Sequence, residues 1–346
     1  MDKTRNVAIT NDLLPSIHPS YARIMCAYIQ NKGYDIDKLF IGSTLNWQNL
    51  LDQQGFISLA QFRALVLNAL QLTQKPWLGV EMAKQLQVSV HGALGYGAVA
   101  APTVKDAFKL IEQAMTTRIS LLGFEYVETN VGARFHVDEF VPLAALSQVV
   151  YPMLIGAFCD IIEKTTGSHA QQVKVFLPYP QPAWFKQYQI QFPQLTFSFD
   201  SESFYIDIPA SLLSMHSLTA DNFAYRNAQR ECLQLLKSKE QGGALSEQIK
   251  RRLFSMSPMT PQQAQISQDL GISVRTLIRK LKMENTSFQK IVDEVRTELA
   301  CWELQNTEQP IDDIADRVGF IDTSNFSRVF KRWMGITPSQ FRRQSK

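Results

Sequence analysis

The stretch from Ile314 to Pro338 reads IADRVGFIDTSNFSRVFKRWMGITP. Apolar residues recur at helical spacing on both sides of Gly319, and a glycine there permits the backbone conformation that ends a helix. The second half of the stretch carries three basic residues, Arg328, Lys331 and Arg332. Two short helices joined by a small-residue turn, with a basic second helix, are typical of a helix-turn-helix.

A degenerate copy of this stretch lies 48 residues earlier in the chain. ISQDLGIS, residues 266–273, aligns with IADRVGFI, residues 314–321, and one added residue in the turn then aligns Arg279 with Arg328. A basic amphipathic helix is most often a solvated face whose arginines form local salt bridges worth under about 1 kcal/mol. Such a face has no reason to repeat together with its turn, so the duplication favours DNA binding.

Suitable capping residues stand at the ends of these predicted helices. Thr260, Pro261 and Gln263 form a capping-box arrangement before the first helix. The other predicted caps are Ser273 in the first copy, Asp322 or Thr323 in the second copy, and Gly335 with Pro338 at the end of its basic helix. A connecting helix is predicted over residues 287–305, with an apolar stripe made by Phe288, Ile291, Val292, Val295, Leu299 and Trp302.

The second helix of each copy is predicted to place its N-terminal part in a DNA major groove. The predicted contacts are Arg275, Ile278, Arg279 and Lys282 in the first copy, and Thr323, Ser324, Asn325, Ser327, Arg328, Lys331 and Arg332 in the second. Arginine matches the acceptors of guanine, whereas Lys282, Lys331 and Arg332 are better placed for phosphate oxygens. The pair is expected to address two successive major grooves of double-stranded DNA, about 10 bp apart.

The distribution of charge and of hydrophobic patterns divides the chain in two. Residues 241–346 hold 16 Lys and Arg against 12 Asp and Glu, whereas residues 1–240 hold 19 against 20. The first 240 residues mix helical spacing with alternating strand patterns such as ARFHVDEF, and no strand pattern follows them. The predicted domains are an α+β domain over 1–240, a linker and lead-in over 241–255, and an all-α domain over 256–346 with helix-turn-helix units at about 262–282 and 311–332.

Cysteine and histidine placement gives little support to an enzyme. Cys26, Cys159, Cys232 and Cys301 lie far apart without a CxxC pair, which indicates buried, reduced thiols of a cytosolic protein. The histidines form no HExxH or comparable cluster, so no metal and no other cofactor is expected, and neither is a signal peptide or a membrane-spanning stretch. Two alternatives stay open. One is a DNA-binding domain fused to an alkyl-transfer repair enzyme, which needs an activated cysteine, and the other is a small-molecule-binding adaptor with a vestigial DNA domain.

Two motifs of the last ninety residues resemble those of a known family. GISVRTLIRKLK, residues 271–282, and IDDIADRVGFIDTSNFSRVFKRWMGITPSQFRR, residues 311–343, closely resemble the C-terminal DNA-binding domain of AraC/XylS-type transcription regulators. The resemblance departs at Ser267, where alanine is usual, and at Asn285, where glycine is common and asparagine also tolerates the left-handed conformation. By position, the resemblance implies DNA contacts by Arg275, Ile278, Arg279, Ser324, Ser327 and Arg328.

A weaker likeness concerns HGALGYGAVAAPTVKDAFKLIEQ, residues 91–113. It is similar to the arabinose-binding-type N-terminal domain of one branch of these regulators, which includes ornithine-utilisation and fatty-acid-responsive regulators. The resemblance implies a small-molecule effector, activation of transcription, contact with RNA polymerase, a homodimer and a cytoplasmic, nucleoid-associated protein. A carboxylate or fatty-acid effector needs cationic partners, for which Lys32, Lys250 and Arg251 are the candidates.

The glycines of this same segment do not predict a phosphate site. Gly92, Gly95 and Gly97 lack both the GxGxxG spacing after a strand and the lysine of a P-loop, so close packing between helices is the preferred interpretation. His91 is expected to be a helix cap or a structural histidine more than a ligand contact. The aromatic residues of the N-terminal half line an apolar pocket or belong to the core, and their alternation favours the core.

Overall fold

A computed structural model of the chain describes residues 12–52, 55–167, 172–240, 244–256 and 258–344. The chain divides into two compact units that do not follow the order of the sequence. The N-terminal unit consists of Ser16–Asp35 and Ala69–Lys237. The C-terminal unit combines Ser238–Lys346 with Met1–Pro15 and Ile36–Asn68, as far as these are described.

The helices and strands of the described residues are numbered in chain order. The helices are α1 (Pro19–Asn31), α2 (Trp47–Asp52), α3 (Leu59–Thr73), α4 (Leu78–Ala83), α5 (Ala93–Ala100), α6 (Val104–Ala114), α7 (Ser147–Thr166), α8 (Lys186–Gln191), α9 (Ala210–Leu213), α10 (Asn222–Glu240), α11 (Leu245–Phe254), α12 (Gln263–Asp269), α13 (Val274–Met283), α14 (Phe288–Asn306), α15 (Ile311–Arg317), α16 (Thr323–Met334) and α17 (Pro338–Gln344). The strands are β1 (Pro15–Ile17), β2 (Ile57–Ser58), β3 (Leu122–Thr129), β4 (Gly132–Glu139), β5 (Lys174–Phe176), β6 (Thr196–Ser198) and β7 (Phe204–Pro209).

One five-stranded sheet organises the N-terminal unit, in the order β3-β4-β7-β5-β6. β3 and β4 pair antiparallel over their full length, β7 pairs antiparallel with β4 and β5, and β5 pairs parallel with β6. Alternate residues of β4, Ala133, Phe135 and Val137, are buried, so one face of the sheet carries the core. This sheet with its surrounding helices confirms the α+β fold predicted for the N-terminal part.

Aromatic rings fill much of the core of the N-terminal unit. The ring of Phe135 meets those of Phe108 in α6 and Phe158 in α7 edge-on, with centroids 5.1 and 5.4 Å apart. Although no membrane-spanning stretch is expected from the sequence, the segment Ala144–Thr166, which contains α7, is long and apolar enough to cross a membrane by length and composition alone. Most of this segment is buried inside the unit, as in a core helix.

Every element of the C-terminal unit after residue 244 is helical in the described residues, as predicted. α14 is the predicted connecting helix, and it packs in one core with both helix-turn-helix pairs. Its predicted apolar stripe is buried at Ile291, Val292, Val295, Leu299 and Trp302, and partly buried at Phe288. The connecting helix was therefore predicted with its correct inner face.

Most of the predicted helix caps are present, and one is wrong. Ser273 Oγ accepts the N–H of Thr276 at 3.1 Å, Asp322 Oδ1 accepts that of Asn325 at 2.6 Å, and Gly335 ends α16 in the left-handed conformation. The capping box at Thr260, Pro261 and Gln263 is not formed, because α12 begins at Gln263 after Gln262, which makes no side-chain cap. Instead, the N–H of Met259 donates to the carbonyl of Arg317 at 3.0 Å, which holds the preceding segment outside the helix.

Residues from the start of the chain belong to the C-terminal unit because they bind to α14. Asp12 accepts hydrogen bonds from both terminal nitrogens of Arg63, at 2.9 and 3.1 Å, and from the indole N–H of Trp302 at 2.9 Å. Gln305 Nε2 donates to the carbonyl of Gly42 at 3.1 Å. Since these partners lie between 51 and 290 residues apart, no local pattern predicts them. The divisions predicted at residues 240 and 256 stay predictions, and Gly242 and Gly243 of the predicted linker lie outside the described residues.

Candidate nucleic-acid interface

The inner faces of α13 and α16 are built alike. Leu277 and Leu281 of α13 are buried, and so are Phe326 and Phe330, which the repeat places at the same positions of α16. These contacts fix the rotation of each helix about its own axis and thereby decide which side chains point to solvent.

The outward face of α13 carries all four residues predicted from the sequence. Arg275, Ile278, Arg279 and Lys282 are exposed. Ile278 is 54% exposed. An exposed isoleucine beside two arginines suits contact with the methyl group of thymine, while the arginines suit guanine and phosphate.

On α16 the predicted residues fall into two groups. Ser324, Arg328, Lys331 and Arg332 are exposed, whereas Thr323, Asn325 and Ser327 are half-buried. Thr323 donates its hydroxyl to Asp312 Oδ1 at 2.5 Å, which ties the start of α16 to α15. Arg328 Nη2 donates to Asn325 Oδ1 at 3.1 Å, so the guanidinium is oriented along its own helix while it remains exposed.

The turns of the two pairs use glycine at the same place but in different surroundings. Gly271 has φ of +65° and Gly319 has φ of +82°, both in the left-handed region that favours glycine. A side chain at Gly271 would meet open space, whereas a Cβ at Gly319 would overlap the carbonyl of Met259. Asn285 also adopts this conformation, with φ of +55°, as its tolerance for it predicts.

Two ionic contacts anchor α14 to its neighbours. Arg317 Nη1 lies 2.8 Å from Glu303 Oε1, with both side chains buried, in an ion pair whose angles fall outside those of a hydrogen bond. Towards α11, Lys250 Nζ lies 2.8 Å from Glu294 Oε2. Burial raises the pKa of the adjacent Glu298 to about 7, with the charge of Lys250 acting against the rise and that of Glu294 adding to it.

Two family models match the chain, one in each part. Residues 33–217 match the arabinose-binding domain of AraC transcription regulator, N-term, and residues 266–344 match a helix-turn-helix domain. The first match alone covers more than half of the sequence. This chain belongs to the AraC family of transcription regulators. As an AraC-family regulator it has an N-terminal ligand-binding domain and a helix-turn-helix DNA-binding domain.

Individual relatives agree with this AraC-family membership. The chain is 27% identical over 333 residues to the ornithine utilization regulator of Pseudomonas aeruginosa, covering 96% of this chain and 97% of that protein. It is 34% identical over 76 residues to the transcriptional activator PerA of Escherichia coli, covering 22% and 28%. The crystal structure of the transcriptional regulator CdpR from Pseudomonas aeruginosa aligns with a TM-score of 0.42 at 21% identity, covering 82% and 91%. These relatives are transcription regulators and not enzymes.

The cysteines of this AraC-family chain are poorly suited to nucleophilic chemistry. All four are free and buried. Burial raises the pKa of the Cys26 and Cys159 thiols to about 12, and it also raises the pKa of Cys232 and of Cys301. Because the thiolate is the reactive form, none of the four matches the activated cysteine that an alkyl-transfer enzyme needs.

The three cations predicted for a carboxylate effector belong to two different units. Lys32 ends α1 in the N-terminal unit, is exposed, and has its Nζ 5.4 Å from the ring centre of Tyr28. Lys250 and Arg251 belong to α11 in the C-terminal unit, and Lys250 already has a carboxylate partner in Glu294. Burial alone would lower the pKa of Lys250, but the negative charges of Glu298 and Glu294 raise it above its usual value.

Proposed function

We propose that this regulator inserts α13 and α16 into two successive major grooves of one DNA site, about 10 bp apart. The observation that carries the proposal is the equivalence of the two helices. Each turns a buried pair of apolar residues to one core and leaves an aligned arginine, Arg279 or Arg328, on the opposite face. Because α14 packs in the same core as both pairs, the two basic faces are held in a defined relation.

Within this arrangement the exposed residues divide between reading and anchoring. Arg275, Arg279 and Arg328 read guanine edges, with Ser324 beside them and Ile278 against a thymine methyl. Lys282, Lys331 and Arg332 bind phosphate oxygens, which supply affinity and register. The half-buried residues of α16, Thr323, Asn325 and Ser327, orient the reading side chains and donate to the nearest phosphates.

Footprinting of the full-length protein on the DNA upstream of its own gene tests this proposal. We expect two protected segments one helical turn apart on the same face of the duplex. Arg279→Ala should remove protection over one segment and Arg328→Ala over the other, while Lys290→Ala, at an exposed cation of α14 outside the predicted contacts, leaves both. A single protected segment, or binding that random competitor DNA abolishes equally, would contradict the two-groove arrangement.

We further propose that the regulator activates transcription through RNA polymerase in response to a carboxylate effector. PerA is named an activator, and the name of the ornithine utilization regulator favours an amino acid as the effector. Among the predicted effector residues, Lys32 and Arg251 are better candidates than Lys250, whose charge is matched by Glu294. A reconstituted transcription assay with purified bacterial RNA polymerase decides the sign, since a repressor would lower the transcript from the bound promoter.

A homodimer in the bacterial cytoplasm, associated with the nucleoid when bound to DNA, completes the proposal. Exposed apolar side chains on α10 support it: Phe223 is 75% exposed, and Leu233 and Leu235 are about half exposed. Light scattering of the purified protein should give twice the mass of 39.3 kDa for the single chain. Replacing Phe223 and Leu233 with serine should return the mass of one chain, and an unchanged mass would exclude this face.

A further inference from the structure

Arg118 of the N-terminal unit is a partly buried cation surrounded by neutral acceptors. Its Nη2 donates to the carbonyl of Val90 at 2.6 Å and to Ser20 Oγ at 2.8 Å, and it lies 2.9 Å from His18 Nδ1. Its Nε is buried without a hydrogen-bond partner. Within the described ranges, none of the Asp or Glu side chains forms an ion pair with it.

Arg134 in the same unit shows what a matched guanidinium looks like. Its Nε and Nη2 donate to the two carboxylate oxygens of Asp207, at 2.7 and 2.9 Å. Withdrawing a charge from water is costly unless an opposite charge and hydrogen bonds compensate it. Arg118 is partly withdrawn from water but has no carboxylate partner among the described residues, and this imbalance points to a bound anion.

The groups around Arg118 lie in a field of positive charge. The pKa of His18 is lowered to about 3, mainly by burial and further by the positive charges of Arg118 and Arg23. Burial and then Arg118 lower the pKa of His91 to about 4, against a small rise from the Leu86 backbone. No acidic side chain contributes to either value, so both imidazoles are neutral at pH 7 and the local charge comes from arginine.

Gly92 gives an anion access to this charge. It is the N-terminal cap of the eight-residue helix α5, it makes no side-chain cap, and a Cβ built on it would lie 3.6 Å from Arg118 Nη1. Gly92 and Ala93 are partly exposed, so this point is reached from solvent. The first N–H groups of a helix lack intrahelical partners and carry partial positive charge, which adds donors beside the guanidinium.

His91, the residue before Gly92, lies on the buried side of this position. His91 is 4% exposed, its Nδ1 lies 3.0 Å from the hydroxyl of Tyr21, and its Nε2 has no hydrogen-bond partner. The sequence HGALGYGA therefore does more than pack helices closely. It places a glycine cap, a buried imidazole and the start of α5 next to one guanidinium.

We propose that Arg118 and the N-terminus of α5 bind the carboxylate group of the effector. One guanidinium and one short helix offer little more than a single positive charge, which suits a monocarboxylate better than a phosphate dianion. The carboxylate accepts from Arg118 and from the first free N–H groups of α5, and Gly92 leaves room for its oxygens. This inference rests on the proposed effector-controlled function, and it places the carboxylate of the effector at Arg118 in place of Lys32 or Arg251.

Calorimetry and thermal unfolding of the full-length protein test the site with defined probes. Acetate, butyrate, octanoate and L-ornithine are each compared with the corresponding neutral amide, and inorganic phosphate is added at the same ionic strength. We expect at least one carboxylate to bind and to raise the Tm, with its amide binding at least tenfold more weakly. If no carboxylate exceeds its amide, or if phosphate binds as well as the best carboxylate, the assignment is overturned.

Two variants locate the binding. Arg118→Gln should weaken the best carboxylate at least tenfold, and Gly92→Ala should do so with Arg118 still present, whereas Arg134→Gln should leave binding unchanged. Arg118 also holds Val90 and Ser20, and φ of +59° at Gly92 strains any side chain there, so circular dichroism checks the folding of both variants. Arg118→Lys, which keeps the charge, decides the result if Arg118→Gln does not fold. Unchanged carboxylate affinity in Gly92→Ala would overturn the site.

A mobility-shift assay without added carboxylate separates this inference from the proposed function. If the wild-type protein binds DNA but prefers no carboxylate, the proposed carboxylate site is wrong and the proposed DNA-binding function stands. If the protein binds a carboxylate through Arg118 but shows no sequence preference for DNA, the carboxylate site stands and the proposed function is wrong.

Discussion

In the first helix-turn-helix the turn residue Gly271 faces open space, whereas in the second the equivalent Gly319 is packed against Met259 and accepts a hydrogen bond from Arg296 at 3.2 Å. The same contrast holds two residues before each glycine. Arg317 is buried on Glu303, while the residue at its position in the first pair, Asp269, is exposed.

The apolar contacts differ in the same direction. The second pair is held by a chain of rings through Phe320, Phe326, Phe330 and Phe341, with centroids 5.5 to 5.7 Å apart. In the first pair, Leu277 and Leu281 occupy the positions of Phe326 and Phe330. If both pairs bind DNA as proposed, we expect the second, with its additional contacts, to be the more rigid and the first the more adaptable.

The largest expected difference concerns the buried ion pair. Glu303→Gln leaves the buried guanidinium of Arg317 without its counter-charge, which should cost about 3–5 kcal/mol of unfolding free energy. Asp269→Asn at the matched position of the first pair should change it by less than about 0.5 kcal/mol. Urea unfolding followed by tryptophan fluorescence measures both, and similar costs would show that the two pairs are anchored alike.

Substitution of the two turn glycines should give almost as large a difference in unfolding free energy. Gly319→Val combines a left-handed β-branched residue with a clash against the Met259 backbone, for a loss of about 2–5 kcal/mol. Gly271→Val has the cost of the left-handed backbone but no clash, so we expect a loss of about 1–2 kcal/mol. Thermal unfolding of the two variants gives the order directly, and a more harmful Gly271→Val would reverse the comparison.

Stability should depend on pH through the face of α14 that meets α11. The folded pKa of Glu298 is raised to about 7, so between about pH 4.5 and 7 the unfolded chain releases this proton while the folded chain keeps it. Its contribution therefore falls as pH rises, by up to about 3 kcal/mol from the linkage relation. Glu298→Gln should flatten the difference in unfolding free energy between pH 5 and pH 8, and an unaltered difference would remove Glu298 as its source.

Loss of a base-reading side chain should have a smaller effect than the substitutions in the folded core described above. Arg328→Ala should lose about 1–3 kcal/mol of binding to the specific site and relax discrimination at one base pair. Arg279→Ala should stay near the lower end of this range if the first pair is the adaptable one. Fluorescence anisotropy on specific and randomised duplexes measures both, and equal losses on the two duplexes would assign Arg328 to phosphate.

The smallest effects are expected from the phosphate contacts. Lys331→Ala and Lys282→Ala should each reduce the salt dependence of log K by about 0.9 and weaken specific and random DNA alike. Titrations between 50 and 200 mM salt measure the slopes. A slope that changes for Lys331 and not for Lys282 would mean that the first pair does not touch the backbone there.

Local sequence patterns predicted much of this structure. The spacing of apolar residues predicted the two inner faces and the stripe of α14, and Ser273, Asp322 and Gly335 were found because capping depends on neighbours within a few residues. The cap at Thr260 failed because a hydrogen bond from Met259 to Arg317, far along the chain, overrides the local preference.

Distant partners explain what the sequence did not show. Asp12 and Arg63 give no sign of binding near Trp302, since their contacts depend on the folded chain. Arg118 is one of many arginines in the sequence, and only its neutral surroundings single it out. His91 and Gly92 were noticed as a motif, but the guanidinium that gives them meaning lies 26 residues beyond Gly92.

The attachment of residues 36–68 to α14 changes how genetic data on this regulator should be interpreted. Gly42 and Gln61 fall inside the segment matched to the ligand-binding family model. Yet a side chain at Gly42 would crowd Gln305 and strain the left-handed backbone, and loss of the Gln61 side chain removes a donor to Glu298. Screens for promoter-recognition defects should therefore return alleles in the first fifth of the gene. A truncated C-terminal fragment prepared for biochemistry would leave Trp302 and Glu298 stripped of their neighbours, and its instability would say little about the intact protein.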